Sequence, residues 1–131
     1  MQRNKFLEQL GLKKQEYGTN FCTKKDKRYK KWKKQQKKYG FDSRECWNLN
    51  NTFVEWLYSR LCMYKKEASK IIDLTYHTFE WNNETITLLQ AIDLILEVCK
   101  EHLTTEFLDK DYTKIQEIMP LWGMILPYMW W

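Results

Sequence analysis

Apolar positions recur at helical spacing along most of this chain and change to strict alternation in one short stretch. Residues 4–16 set Phe6, Leu7 and Leu10 on one side of a short helix that Gly11 is suited to end, and Tyr17 to Phe21 ("YGTNF") reads as a turn. Phe21, Tyr29, Trp32, Gln36 and Tyr39 then fall near helical spacing, so an aromatic stripe runs along a rod that Gly40 terminates. Asp42 with Glu45 three residues on has the form of a capping box. Asn48, Asn50 and Asn51 interrupt the next apolar stretch and either cap a new helix or mark a kink. That helix, Thr52 to Lys66, is expected to bury Phe53, Leu57, Leu61 and Tyr64, with Val54 and Trp56 widening the stripe and Arg60 stacked one turn beyond Trp56.

The alternation comes at "TYHTFEWNNETIT". Tyr76, Thr78 and Glu80 alternate with His77, Phe79 and Trp81, and Asn82–Asn83 supplies a turn before a return strand, which predicts a β-hairpin near residues 75–87. Thr87 and Gln90 make a capping box for a helix to about His102, with Leu88, Ile92, Ile95, Leu96, Cys99 and Leu103 on its buried face. A last helix from Asp109 or Asp111 carries Ile115, Ile118, Trp122, Ile125 and Met129, with Pro120 expected to kink it. The expectation is a mainly α, single domain over residues 1–131: four to five helices and one small hairpin, with a basic helical part at 1–39 and a helical core at 40–131. The closing "PYMWW" extends the last apolar stripe. Trp130 and Trp131 read as an anchor, with ligand stacking as the alternative, and either is compatible with self-association into a homo-oligomer.

Charge changes this picture. The segment from Lys24 to Lys38 holds ten Lys/Arg against one Asp, a local +9 in a chain of net +5, so the remaining residues sum to −4. Its cations either coat a solvated helix or form a phosphate-binding surface, in which Lys27, Arg28, Lys30, Lys31, Lys33 and Lys34 meet phosphates while neighbouring rings stack on bases. Aromatic content is 16%. No apolar run approaches the ~20 residues a membrane span needs, and the first residues lack the apolar stretch of a signal peptide, so the expected compartment is the cytoplasm, with no membrane partner. Cys22, Cys46, Cys62 and Cys99 lie far apart and read as buried free thiols rather than a metal site or disulfides.

Recognition-type side chains are densest in "RECWNLN". Arg44 offers a bidentate fork, Trp47 a stacking face, and Asn48 and Asn50 paired donor–acceptor edges; capping, a buried indole and Asn turns explain the same residues without a ligand. Enzymatic chemistry is not expected. The four glycines are isolated, no serine sits in a nucleophile elbow, His77 lies in the expected strand, and His102 sits near a helix C-terminus where a cation suits the dipole. No cofactor is implied.

"GFDSRECWNLNNTFVEWLYSRLCMYKK", "DLTYHTFEWNNETIT" and "ILPYMWW", together covering roughly residues 39–131, resemble a group of small phage and prophage proteins with a "GF-acidic-x-x-x-x-W-N-L" box and a tryptophan pair at the C-terminus. Where that group often has Asp after "WNL" this chain has Asn50, which weakens any metal or acid–base role there. The resemblance implies a phage accessory protein in the cytoplasm of a bacterial host, and it supplies no catalytic residues. Such proteins include sponges for nucleotide immune signals, inhibitors of defence nucleases and DNA-associated proteins. The first expectation is therefore a non-enzymatic, oligomeric protein that sequesters a phosphate-bearing nucleotide signal through Arg44, Trp47, Asn48, Asn50, Arg60 and Tyr64, with Trp130 and Trp131. The second is nucleic-acid binding, or blockade of a nucleic-acid-guided nuclease, through the lysine rod. A structural phage component is the third.

Overall fold

The structure, a computed structural model, describes residues 4–12 and 26–131, the side chain of Phe107 excepted. The expected turn at Tyr17–Phe21, the stripe position Phe21, and Cys22, Lys24 and Lys25 lie outside the described residues. The protein is mainly α: five α-helices and one two-stranded antiparallel sheet among the described residues. Its internal contacts group it into two compact units, Met1–Trp56 and Leu57–Trp131.

In the first unit, α1 (Lys5–Gln9) is capped by Asn4, whose side chain accepts from Leu7 N, and the chain leaves it through Gly11. Helix α2 (Tyr29–Tyr39) is built of Lys and Gln around Trp32, residues that lose little side-chain freedom in a helix. Gly40 ends it as expected, in a left-handed conformation (φ 84°) with its N–H on the Gln36 carbonyl. A 3₁₀ turn, Ser43–Cys46, follows, and α3 (Leu49–Ala68) opens three residues before the expected start, because Asn48 O takes Thr52 N as the first helical bond.

The boundary between the units falls inside α3, between Trp56 and Leu57. Val54, Leu57, Leu61 and Ala68 are its buried apolar positions, and Glu55 and Ser59 are buried on the opposite side. Phe53 and Trp56 are exposed and stack on one another at 6.4 Å, and Tyr64 is half-buried. The expected stripe is therefore corrected: Val54, Leu57 and Leu61 are buried as expected, whereas Phe53 and Trp56 are exposed and Tyr64 is only half-buried.

In the second unit, β1 (Thr78–Trp81) pairs with β2 (Glu84–Thr87) in the register Thr78↔Thr87 to Trp81↔Glu84. Asn82 and Asn83 form the two-residue loop with φ of 49° and 64°, the twin left-handed residues that tight hairpin turns require. Phe79 and Ile86, directly opposed, are buried. Helix α4 (Leu88–Thr104) starts on the expected reciprocal Thr87–Gln90 box and buries Leu88, Ala91, Ile92, Ile95, Cys99 and Leu103. It packs on α5 (Thr113–Ile125), which buries Ile115, Ile118, Leu121 and Ile125. Tyr112 is the N-cap of α5 and makes no side-chain cap bond, while Asp111 just before it accepts from the Thr113 N–H, at 2.8 Å, and from its hydroxyl, at 2.6 Å. Pro120 sits within the helix without ending it.

Candidate functional site

Six lysines, 30, 31, 33, 34, 37 and 38, share α2 with no carboxylate. At about 100° per residue they fall within an arc of about 160° centred opposite Trp32, whereas Tyr29, Gln35, Gln36 and Tyr39 share Trp32's side. All six are exposed, and among the described residues none is ion-paired. The cations thus line one continuous face instead of pointing around the whole helix.

On the opposite side of the helix Trp32 is 1% exposed and lies against two guanidinium groups, with Arg44 Cζ 4.7 Å and Arg28 Cζ 5.0 Å from its ring. Trp47 meets Trp32 edge-on at 5.8 Å, and Arg28 also lies 5.2 Å from Trp47. Arg28 forks onto Asp26 through Nε (3.1 Å) and Nη2 (3.0 Å), and those hydrogen bonds hold the Asp26 carboxyl below the usual carboxylate range.

Arg44, expected to fork onto a ligand phosphate, is buried and forks onto Asp42: Nε to Oδ1 at 2.8 Å and Nη2 to Oδ2 at 2.7 Å. Asp42 also accepts from Arg44 N and, at 2.6 Å, from Gln36 Nε2, while Gln35 Oε1 takes Ser43 N. Burial opposes ionisation of Asp42, but the hydrogen bonds from Arg44 and Gln36 outweigh it and draw its pKa down to about 2. This network clamps the 3₁₀ turn to α2. Asp42 therefore caps the turn through Arg44 N, rather than an α-helix through a box with Glu45.

Of the other expected ligand residues, Trp47 keeps 41% of its surface exposed. Asn48 and Asn50 are exposed at the start of α3, where Asn50 Oδ1 accepts from Asn51 N. Arg60, Tyr64, Trp130 and Trp131 belong to the second unit. There Tyr64 lies edge-on to Trp131 at 5.4 Å and its hydroxyl donates to Trp130 O at 3.4 Å, yet Trp130 and Trp131 stay 73% and 53% exposed. The tail is tethered to α3 without being buried. Tyr128 just before it contacts His77 (4.7 Å) and Phe79 (5.1 Å) of the hairpin.

Tyr39, expected in the aromatic stripe, is 59% exposed; sequence reasoning passed over Phe41 (46%), which lies across Gly40 with its ring centroid 6.4 Å from that of Tyr39, the Tyr-Gly-Phe spacing across a helix terminator being the available signal. It also passed over a cavity of about 550 Å³ in the second unit, lined by Ile72, Leu74 and Leu89 together with Lys65, Lys66 and Asp73. Lys65 is paired with Asp93 at 2.7 Å.

Burial pushes the Cys99 thiol up to about 12 and also raises Cys62. Cys46 is exposed, against the expectation of buried thiols. His102 is buried, with its ring 4.4 Å from Tyr112; burial first and the charge of Lys110 second push its pKa down, so it is a neutral core histidine and not a cation at a helix end. Among the described residues no group of three or more His, Cys, Asp or Glu could hold a metal, and no helix is long and apolar enough to cross a membrane. No protein-family model, curated protein or solved structure matches the chain.

Proposed function

We propose that this protein binds nucleic acid, as a non-enzymatic accessory protein, through the lysine face of α2. The observation that carries the reading is the arc of six exposed lysines with no carboxylate on the helix, mounted on a buried Trp32–Arg44–Asp42 clamp that fixes its orientation. A helix so charged repels itself, and a polyanion relieves that repulsion while releasing its own condensed counterions. Sequestration of a small nucleotide is less well supported: the fork meant for its phosphate is engaged by Asp42, and the cavity's Lys65 is answered by Asp93. In the phage setting that the sequence resemblance implies, covering nucleic acid would deny it to a host nuclease.

Fluorescence anisotropy with labelled oligonucleotides over a range of salt concentrations tests this. The expected log–log slope is steep, and changing Lys30, Lys31, Lys33 and Lys34 to Gln should make it shallower by about 3, since each lysine that neutralises a phosphate releases a little less than one counterion. A protein that binds no polyanion at low salt, or whose slope is untouched by the four substitutions, does not work this way. Binding of mononucleotides or cyclic oligonucleotides with a shallow salt response would favour sequestration instead.

A further inference from the structure

Three rings of the first unit, on or near Trp32's side of α2, are each reached by a cation. Lys38 Nζ lies 5.2 Å from the Tyr39 ring, Lys33 Nζ 5.8 Å from Tyr29, and Arg28 Cζ 5.2 Å from Trp47. Along the helix Trp32, which carries Trp47, and Tyr39 lie on one side, two turns and about 10 Å apart. At the far end, the left-handed turn at Gly40 brings Phe41 back beside Tyr39. No atom lies within 4 Å of a Cβ built at Gly40, so the glycine serves the turn's backbone conformation and not a tight contact.

Tyr39 and Phe41 are paired with one another and touched by a lysine, so they offer a small flat apolar surface next to positive charge. A purely electrostatic duplex binder has no use for them, because the bases of a duplex present their flat faces only to one another. In a single strand, the phosphates and the π-faces are both accessible, and stacking platforms alternating with cations are how proteins hold such strands. Charge complementarity selects an anionic partner, and the rings select one with free flat faces. Resting on the nucleic-acid reading above, we infer that the partner is single-stranded: its phosphates lie on the α2 lysines as far as Lys38, which reaches over the edge of the face to Tyr39, and its bases stack on Tyr39 and Phe41.

The test compares four probes on the unaltered protein: a single-stranded oligonucleotide, the duplex of the same length, an abasic strand with the same number of phosphates, and inorganic polyphosphate. The single strand should bind on the order of tenfold or more tighter than the abasic strand and the duplex, since a base stacked on a ring is worth roughly that factor or better. The Tyr39→Ala/Phe41→Ala variant should lose that advantage while keeping wild-type affinity for duplex and polyphosphate; Tyr39→Trp should retain it. Equal affinity for all four probes would overturn the single-strand inference and leave the lysine face standing as a simple polyanion site. No binding to any of the four would overturn both. The abasic comparison needs no substitution, so an unfolded variant cannot obscure the result.

Discussion

Trp32 shows how one residue organises the first unit. Its indole is wide enough to take Arg44 at 4.7 Å and Arg28 at 5.0 Å, and each guanidinium is then neutralised by a carboxylate two residues before it, Asp42 and Asp26. The two pairs differ in environment: Arg44–Asp42 is buried, whereas the Arg28 side chain is 55% exposed. Removing one member of the buried pair strands a charge away from water, so Arg44→Ala should lower unfolding free energy by about 3–5 kcal/mol in urea titrations. Breaking the exposed pair with Asp26→Ala should leave the urea midpoint almost where it is, because solvent screens that pair. Should Arg44→Ala instead leave stability intact and abolish oligonucleotide binding, the residue contacts the ligand and the clamp assignment is wrong. The fork was visible in the sequence as a recognition group, but its partner was not. Periodicity places Trp32 and a capping rule finds Asp42, yet only the fold back of the 3₁₀ turn onto α2 makes Arg44 an internal residue.

At the scale of elements, what could be read depended on how local the determinant was. The hairpin was legible because its pattern, its turn residues and its length of strand all agree within ten residues. Its two left-handed asparagines give a direct check. Asn83→Ala should cost about 1 kcal/mol through the positive φ alone, and Asn83→Gly should be neutral or stabilising; midpoints of thermal unfolding report both. The capping box of α4 was legible for the same reason, and Thr87→Ala should lower stability by about 1 kcal/mol. Helix α3 resisted because its period offers two apolar faces. Phe53, Trp56 and Met63 look as good a stripe as Val54, Leu57 and Leu61, and the polar residues Glu55 and Ser59 are buried where a hydrophobic rule would never put a buried face. Choosing between such faces depends on what the rest of the chain covers.

At the scale of the whole molecule, the distribution of titrating groups sets how the protein meets acid. Among the described residues two buried groups have depressed pKa values, one in each compact unit: Asp42 in the first and His102 in the second. For His102 the folded value lies below the ordinary 6.5, so the unfolded chain takes up the proton first and stability falls as pH drops through and below 6.5. Its surroundings reinforce the direction, since the neighbouring Lys110 opposes a second positive charge; the hydrogen bond to the Asp111 backbone acts the other way and is the weaker influence. For Asp42 the folded value of about 2 against an ordinary 3.8 means its contribution is complete above pH 4 and lost only between about 4 and 2. Acid should therefore loosen the second unit before the first. Hydrogen exchange followed by mass spectrometry across a pH series, corrected for intrinsic exchange rates, reads each unit separately. Protection in α4 and α5 should begin to fall below pH 6.5 while α2 and its 3₁₀ turn hold until near pH 4. His102→Gln, which keeps a polar side chain of similar reach but cannot be charged, should flatten the upper part of that profile and leave the lower part in place. If both units lose protection together near pH 4 in the unaltered protein, burial of His102 contributes nothing to the acid response, and the carboxylates alone govern it.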